Sequence, residues 1–315
     1  MSASVGVLLP RDLPVGDIVP FARAAEVAGF QELWIVEDCF FRGGIAQAAV
    51  CLASTESIEV GIGILPAVAR NAAFSTLELA TLAEMYPGRV TGGIGHGMPG
   101  WMRQIGAMPA SPLTALRENL QAVRSLLAGE TVTVDGRYVT LDAVVLENAP
   151  SVIPPVLAGV RGPKSLAIAG QHADGTILAE PVTPEYLAAA RKQIAALGAH
   201  RIVAYNVAAI NENPDVARER VRSALEWVGE PDWAPHIDPL PFAAEFAALR
   251  AASAGRAEFV AALPDEWIDA LALVGTAGRV RARIAELNDA GADSVILIPV
   301  SDDTLSELTS LAQVL

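Results

Sequence analysis

The sequence is poor in cysteine, in basic residues and in aromatic residues. Its 315 residues include 2 cysteines, 22 Lys and Arg against 36 Asp and Glu, and 5% aromatic side chains. Cys39 and Cys51 are too few for a disulfide framework and lack metal-site spacing, so we expect two reduced thiols in a cytoplasmic protein. The formal net charge of −14 repels phosphate backbones and anionic lipids, which argues against nucleic-acid and membrane partners.

Long apolar runs and familiar hydrolytic motifs are also missing. No stretch approaches the roughly 18 consecutive apolar residues of a transmembrane helix, and Met1 to Ser4 lack a basic region, so we expect no signal peptide. The histidines lack metal-ligand spacing, and neither H-E-x-x-H nor G-x-S-x-G occurs. We therefore predict no metal site, and we expect an organic cofactor to supply the difficult chemistry.

What the sequence does contain is a repeated succession of a short apolar run, a loop and an alanine-rich amphipathic segment. The apolar runs predict parallel strands over Val5–Leu9, Leu33–Val36, Ile58–Ile64, Val90–Gly95, Pro155–Ala158, Thr176–Ala179, Ile202–Ile210 and Ser294–Ile298. The intervening segments predict helices over Asp17–Ala28, Ile45–Ala53, Phe74–Met85, Leu113–Leu127, Pro163–Ala169, Pro184–Leu197, Pro214–Trp227, Asp265–Leu273, Gly278–Ala290 and Asp303–Leu315.

This alternation predicts an α/β fold, a (β/α)8 TIM barrel formed by residues 1–315 as a single domain. An open doubly wound sheet is the alternative. Its signature is absent, because no G-x-G-x-x-G follows the first strand and opens a helix. A closed barrel also explains the final helix that follows the last strand.

Two stretches interrupt the alternation. After the fourth strand, Thr131–Val134 and Tyr138–Leu141 flank Asp135-Gly136, which predicts a β-hairpin insertion with a primed turn. Before the eighth strand, prolines punctuate short helical pieces between Glu230 and Leu263. We expect this irregular insertion to form part of a lid or substrate wall.

In a barrel of this kind, the active site forms from the loops at the C-terminal ends of the strands. The fifth predicted strand leads into Gly159-Val160-Arg161-Gly162, with Pro163 near the first helical position. Free amides at a helix N-terminus, with glycines that admit a ligand, favour phosphate binding. The alternative is a tight loop with exposed basic residues.

Two further strand ends carry candidate side chains. Glu37-Asp38 closes the second strand, where a carboxylate can transfer a proton or bind a cofactor ring, and capping of the following helix is the rival interpretation. Gly95-His96-Gly97 closes the fourth strand, where glycines allow close approach of a flat ligand or simply form a turn. His96 is the histidine at a predicted strand end, which makes it a candidate donor or base.

Several motifs in a fixed order cover nearly the whole chain. They are Ala24–Phe30 followed by Leu33–Asp38, then Pro87–Gly97, then Gly162–Leu166 with Ala169–Gly175, and finally Val274–Ala277 before Ala290–Asp293. In order and spacing they resemble the luciferase-like monooxygenase superfamily of flavin- and coenzyme F420-dependent oxidoreductases. Within it, they are similar above all to methylenetetrahydromethanopterin reductase-like proteins.

The resemblance implies a barrel with coenzyme F420 or FMN in its mouth. By position, the cofactor phosphate would lie on the amides of Gly159, Val160, Arg161 and Gly162. The ring would lie against a bulge in the third strand, with a non-prolyl cis peptide at Gly63-Ile64, and Gly95, His96 and Gly97 would border it. Asp38 and His96 would be the catalytic residues, with Glu37 as a weaker candidate.

The resemblance also implies a homodimer through the helices Ile45–Ala53 and Phe74–Met85. These helices are unusually apolar, although they could instead simply face the barrel.

The expected activity is hydride transfer between the cofactor and a small organic substrate. Three positions depart from well-known relatives. Asp38 stands where many have a histidine, and Leu8 and Met98 stand where methanopterin reductases commonly have acids, so the substrate does not carry over. The alternatives are an FMN-dependent monooxygenase that uses reduced flavin and oxygen, a non-catalytic flavin-binding protein on the same barrel, and an unrelated phosphate-binding barrel.

Overall fold

The architecture comes from a computed structural model that describes residues 3–301 and 303–315, so the expectation resting on Met1 and Ser2 lies outside it. The strands are β1 (Ser4–Leu8), β2 (Glu32–Ile35), β3 (Glu59–Pro66), β4 (Val90–Gly95), β5 (Val132–Asp135), β6 (Thr140–Val144), β7 (Val156–Gly159), β8 (Gly175–Leu178), β9 (Arg201–Ile210), β10 (Leu273–Gly275) and β11 (Ser294–Pro299). The first helices are α1 (Ile18–Ala28), α2 (Gly44–Ser54), α3 (Ala72–Met85), α4 (Pro99–Gln104), α5 (Pro112–Leu127), α6 (Pro163–His172) and α7 (Pro184–Ile194). The later helices are α8 (Pro214–Arg222), α9 (Ala234–Ile237), α10 (Ala243–Ala252), α11 (Arg256–Ala261), α12 (Asp265–Leu271), α13 (Ala277–Ala290) and α14 (Thr304–Leu311).

Parallel strands close into a barrel in the order β1, β2, β3, β4, β7, β8, β9 and β11, and β11 pairs back with β1. The sequence forms these strands because each apolar run is buried on both faces, between the barrel interior and the surrounding helices. Every predicted strand overlaps an observed one, and the predicted (β/α)8 barrel is confirmed. Within the described residues, no helix is long and apolar enough to cross a membrane.

One further strand, β10, joins the barrel sheet and was not predicted. It pairs in parallel with Ala208–Ile210 of β9. It lies on the same edge of β9 as β8, whose pairing with β9 ends at Ala204. β9 has 10 residues and extends past its β8 partner, so its free edge accepts this short strand. The helix predicted over Asp265–Leu273 therefore ends at Leu271. A three-residue apolar run does not distinguish a strand from a helix end.

The predicted hairpin is present as β5 and β6, but its turn differs from the prediction. Asp135 lies opposite Thr140, so residues 136–139 form the connection. The predicted primed turn at Asp135-Gly136 is wrong, because neither residue has the positive φ that such a turn needs. The Glu118 carboxylate of α5 accepts hydrogen bonds from the backbone N–H groups of residues 137–139 at 2.8–3.1 Å and stabilises the longer connection.

The insertion before the last barrel strand builds an apolar cluster of its own. Its short helices α9, α10 and α11 enclose Trp233, Ile237, Phe246 and Phe259, which pack with Val207 of β9. The proline-punctuated helical pieces expected over Glu230–Leu263 are therefore present. Met98, after β4, packs against the same cluster, so the insertion lies over the C-terminal mouth of the barrel.

A buried carboxylate ties three strands together at the N-terminal floor of the barrel. Glu32 of β2 is 2% exposed. It accepts hydrogen bonds from Trp34 Nε1 at 2.7 Å and from Ser294 Oγ of β11 at 2.7 Å. Arg201 of β9 forms a salt bridge to the same carboxylate at 2.8 Å. Because Ser294 and Arg201 lie on two other strands, this network fixes the positions of β2, β9 and β11 relative to one another.

Removing the charge at this floor should destabilise the fold. We expect Glu32→Gln to lower the free energy of unfolding by about 3 kcal/mol, since the buried acceptor for Arg201 loses its charge. Urea denaturation followed by circular dichroism measures the change. The control is Glu59→Gln, because Glu59 is 47% exposed and lies 3.7 Å from the same guanidinium. It should cost less than about 1 kcal/mol. Equal effects of the two substitutions would contradict the role given to Glu32.

Candidate functional site

The end of β3 shapes one wall of the mouth. The β3–β4 register shifts between Ile62 and Leu65, and the Gly63–Ile64 peptide within this bulge is cis. The bulge and the cis bond implied by the resemblance are therefore confirmed. A side chain at Gly63 would overlap the Tyr205 hydroxyl, so glycine is required where the bulge passes over the barrel interior.

Ile64 explains two of the predicted cofactor-binding glycines. A Cβ at Gly159 would overlap Ile64 Cγ2, and a Cβ at Gly95 would lie 2.8 Å from Ile64 Cδ1. These glycines let the Ile64 side chain lie between the ends of β4 and β7. The structure thus brings Gly63, Ile64, Gly95 and Gly159 into one wall. Gly97 follows with a positive φ of 70° and forms a turn beside Met102.

The N-terminus of α6 offers unpaired amides beside this wall. Gly162 precedes the helix with φ 80°, and Pro163 occupies its first turn. Among the described residues, no backbone acceptor pairs with the N–H groups of Arg161, Gly162, Lys164 and Ser165. Among the described residues, the atom nearest to a Cβ at Gly162 would be Pro235 Cγ at 4.0 Å, so there is space for a ligand. Such an arrangement suits a phosphate group.

One of the four predicted phosphate-binding amides is directed elsewhere. The Val160 N–H donates to the Ile177 carbonyl of β8 at 3.4 Å and continues the sheet. The N–H groups of Lys164 and Ser165, in the first turn of α6, are better placed than the Val160 N–H to bind a phosphate group. The sequence indicated the helix N-terminus, but phosphate-binding amides were assigned only as far as residue 162.

His96 links the end of β4 to α6. Its Nε2 lies 2.9 Å from Ser165 Oγ, and the two atoms share a hydrogen bond. Burial lowers the pKa of His96, and a backbone hydrogen bond to Pro112 acts in the opposite direction. The ring is therefore neutral at pH 7 and stands beside the amides of α6. The structure places it among the proposed phosphate-binding groups.

The two predicted catalytic acids are held by arginines. Both Glu37 oxygens bond to the Arg70 guanidinium, and Glu37 Oε2 also accepts from the Gly44 N–H at 2.8 Å at the start of α2. The contact with the Gly44 N–H agrees with the alternative interpretation, in which Glu37 caps the following helix. Asp38 Oδ2 lies 2.7 Å from Arg11 Nη1 after β1. These pairs join the ends of β1, β2 and β3 around the mouth.

A third acid, Glu180, was not among the predicted catalytic residues. It follows β8, and its peptide bond to Pro181 is cis. Its backbone carbonyl accepts from Trp233 Nε1 of the insertion at 3.0 Å, and His236 Nδ1 lies 3.0 Å from the Pro181 carbonyl. Glu180 ends a predicted strand, but its contacts come from a distant insertion, so no local pattern distinguished it.

Arg161 connects the insertion to the α6 site. Its guanidinium carbon lies 4.3 Å from the Trp233 ring centroid, a cation–π geometry. Its charge therefore remains near the free amides of α6, where it adds to the attraction for an anion.

Comparison with known proteins supports the resemblance drawn from the motifs. The family described as luciferase-like monooxygenase matches residues 3–294. A 5,10-methylenetetrahydromethanopterin reductase from Methanolobus tindarius is 30% identical over 302 residues, covering 91% of this chain and 91% of the relative.

Solved structures agree on the fold. The coenzyme F420 dependent tetrahydromethanopterin reductase from Methanopyrus kandleri superposes with a TM-score of 0.84 at 23% identity, covering 99% of this chain and 98% of that chain. An F420-dependent secondary alcohol dehydrogenase, solved with an F420-acetone adduct, gives a TM-score of 0.81 at 19% identity, covering 100% and 98%.

The buried His236 should make the fold sensitive to acid. Burial lowers its pKa from 6.5 to about 3, with help from Arg161. The unfolded chain takes up a proton near pH 6.5, whereas the folded protein resists it until near pH 3, so acidification within this window favours unfolding. We expect His236 to account for a loss of about 2 kcal/mol of unfolding free energy between pH 7 and pH 5.

Chemical denaturation of wild type and His236→Asn at both pH values measures this contribution. Asparagine keeps a hydrogen-bond donor for the Pro181 carbonyl but does not titrate. Between pH 7 and pH 5, the unfolding free energy of the variant should therefore fall by about 2 kcal/mol less than that of wild type. His172→Asn, at the end of α6, serves as the control and should keep most of it. An acid response of His236→Asn equal to that of wild type would refute the interpretation.

Proposed function

The chain belongs to the luciferase-like monooxygenase family, and we propose that it transfers a hydride between a bound deazaflavin or flavin and a small organic substrate. The observation that carries this proposal is the set of free amides at the N-terminus of α6, beside His96 and beside the wall formed by the β3 bulge. A phosphate-bearing planar cofactor matches both features, since the amides would bind its phosphate and the Gly63-Ile64 wall would support its ring.

The bound cofactor supplies the hydride chemistry, and the protein supplies its position. The amides of Arg161, Gly162, Lys164 and Ser165 would bind the phosphate, with Arg161 and Lys164 adding positive charge. Ile64, seated between Gly95 and Gly159, would form an apolar backing for the ring. The neutral His96 would fix Ser165 and with it the first turn of α6.

We propose coenzyme F420 as the cofactor in preference to FMN. Relatives of this chain include an F420-dependent glucose-6-phosphate dehydrogenase from Beutenbergia cavernae, 30% identical over 195 residues. Arg11 and Arg70 neutralise Asp38 and Glu37 at the mouth, which reduces the repulsion of an anionic tail there. If FMN binds instead, monooxygenation by reduced flavin and oxygen is the reaction to test.

The Gly162 position offers a direct test of the phosphate site. We expect Gly162→Ala to weaken binding of F420 about tenfold, because the added methyl group enters the space in front of the free amides. Fluorescence titration with F420, and separately with FMN, measures the dissociation constants.

The control is Gly88→Ala. Gly88 also has a positive φ, of 77°, and no atom of the described residues lies within 4 Å of the position that an added methyl group would take. The substitution therefore also places alanine at a positive φ, at a cost of about 1 kcal/mol, away from the mouth. Unchanged affinity in Gly162→Ala, or equal losses in the two variants, would show that the phosphate binds elsewhere. Failure of the wild type to bind either cofactor would refute the proposed function.

We also propose that the chain forms a homodimer through α2 and α3. Apolar side chains lie exposed on these helices, including Val50 at 46%, Phe74 at 66% and Leu77 at 49%. Adjacent exposed apolar residues on neighbouring helices are typical of a subunit interface.

Light scattering after size-exclusion chromatography tests the dimer. Wild type should have twice the chain mass of 32.9 kDa. Phe74→Glu should shift the protein toward monomer, because a charge would be buried in the interface. Val27→Glu on α1, where Val27 is 87% exposed, should leave the mass unchanged. A dimer that persists in Phe74→Glu would place the interface on another surface.

A further inference from the structure

A polar cavity of about 500 Å³ lies between the outer helices α8 and α14. Both helices pack on β9, and the cavity lies over the ends of β9 and β11. Its lining includes Ile210 and Val300 from the strand ends, Arg220 of α8, and Ser306 and Glu307 of α14. Within the described part of the chain, it shares no residue with the β3 bulge or the N-terminus of α6. A cleft of this size can hold a small molecule.

Glu307 is the buried acid of this cavity. Its side chain is 3% exposed, and its Oε1 atom has no hydrogen-bond partner among the described residues. Burial raises the pKa of the carboxyl group, and Arg220 opposes this rise. Buried polar atoms in folded proteins are almost always hydrogen-bonded, because desolvation without a partner is costly. The bare Oε1 atom therefore points to a donor that enters the cavity from outside the chain.

Arg220 has the complementary deficiency. Its side chain is 41% exposed, and a separation of 3.7 Å from Glu307 Oε2 is its one polar contact among the described residues. The neighbouring arginines of α8 are engaged, since Arg218 is bonded to Asp269 and Arg222 donates to two backbone carbonyls. Arg220 is thus the arginine of α8 whose N–H groups are available to a ligand.

A simple salt bridge between α8 and α14 is the alternative interpretation of these two charges. A complete arginine–carboxylate pair forms two short bonds, as Arg218 and Asp269 do at 2.9 Å each. The distance of 3.7 Å between Arg220 Nη1 and Glu307 Oε2 is too long for a hydrogen bond. The donors of one side chain and an oxygen of the other consequently stay unused, which a structural pair does not explain.

The remaining polar groups of the cavity favour a ligand with an acceptor as well as a donor. Asn211 accepts from the Asn213 N–H at 2.9 Å through Oδ1, which leaves its NH2 group as a donor beside the cavity. Ser306 adds a hydroxyl group. A ligand carboxylate suits the guanidinium of Arg220 and these donors, and a ligand ammonium group suits the Glu307 carboxylate.

The short distance between the two charged side chains limits the spacing of the ligand's charges. Because Arg220 and Glu307 lie side by side, the carboxylate and ammonium groups that they bind must also be adjacent, as on the α-carbon of an amino acid. An ω-amino acid separates the same groups by several carbons. Ile210 and Val300 supply the apolar part of the lining, which suits an aliphatic side chain.

We propose that this cavity binds an α-amino acid with an aliphatic side chain. Arg220 binds its carboxylate, and its ammonium group donates to Glu307 Oε1. The inference does not rest on the proposed function, because the cavity is separate from the α6 site. Titrations with the amino acid and with F420 therefore succeed or fail independently.

Isothermal titration calorimetry of the whole chain with L-leucine tests the ligand class. Isoamylamine lacks the carboxylate, isocaproate lacks the ammonium group, and ε-aminocaproate holds the two groups far apart. We expect L-leucine to bind at least about tenfold more tightly than each of these analogues, since only L-leucine satisfies both side chains at once. Absence of L-leucine binding, or equally tight binding of any analogue, would overturn the proposal.

Substitutions on the two helices test the assigned contacts. Glu307→Gln and Arg220→Gln should each weaken L-leucine binding at least about tenfold, because each removes one charge-assisted hydrogen bond. The control is Glu219→Gln, next to Arg220 on α8, where the side chain is 77% exposed. It should bind L-leucine as wild type does. Wild-type affinity in Glu307→Gln or in Arg220→Gln would show that the ligand lies elsewhere.

Urea denaturation separates binding from a purely structural role of Glu307. Without ligand, Glu307→Gln should have the same urea midpoint as wild type or a higher one, because Oε1 has no donor to lose. Saturating L-leucine should raise the midpoint of wild type and of Glu219→Gln but not that of Glu307→Gln. A lower midpoint of ligand-free Glu307→Gln would assign the carboxylate to the stability of the fold and overturn its role in binding.

Discussion

The interior of this barrel depends on the buried carboxylate of Glu32. It engages Arg201 and Ser294 from two other strands, and it orients Trp34 through the indole N–H. Once the indole is fixed, its neighbours have little freedom. A side chain at Gly61 would overlap the Trp34 ring, and Tyr205 packs edge-on against it at 5.7 Å. Because a buried charge is stable only with its full set of partners, the floor constrains the strand positions that define the mouth above it.

The constraint passes from the floor to the mouth through a short series of packed groups. Tyr205 leaves room for a β3 bulge only if residue 63 lacks a side chain. The bulge projects Ile64 toward β4 and β7, and glycines must then stand at positions 95 and 159. In the sequence, these glycines were interpreted as positions that admit a ligand. They are also needed for packing, because a side chain at either position would overlap Ile64. The wall they form is apolar and continuous, which is the surface that a planar ring requires.

The sequence allowed the barrel, its strand order and the glycine-containing loop before α6 to be predicted, because these depend on local apolar runs, glycines and helix starts. Family resemblance supplied the cis Gly63–Ile64 peptide. What could not be predicted depends on partners distant in the chain. The hairpin connection follows Glu118, the short strand β10 follows the free edge of β9, and the backbone after β8 is held at the Glu180 carbonyl by Trp233 of the insertion. None of these partners is marked by spacing or composition.

An acidic protein that binds an anionic cofactor must create positive potential locally. The net charge of −14 repels such a ligand at long range, but salt screens surface charge within about 10 Å. At short range, the free amides of α6 and the guanidinium of Arg161 oppose that repulsion. Pairing Glu37 and Asp38 with arginines removes two negative charges from the mouth, and burial disfavours the charged form of Glu180. The same electrostatic requirement that admits the cofactor therefore also limits the negative charge carried by the acids at the mouth.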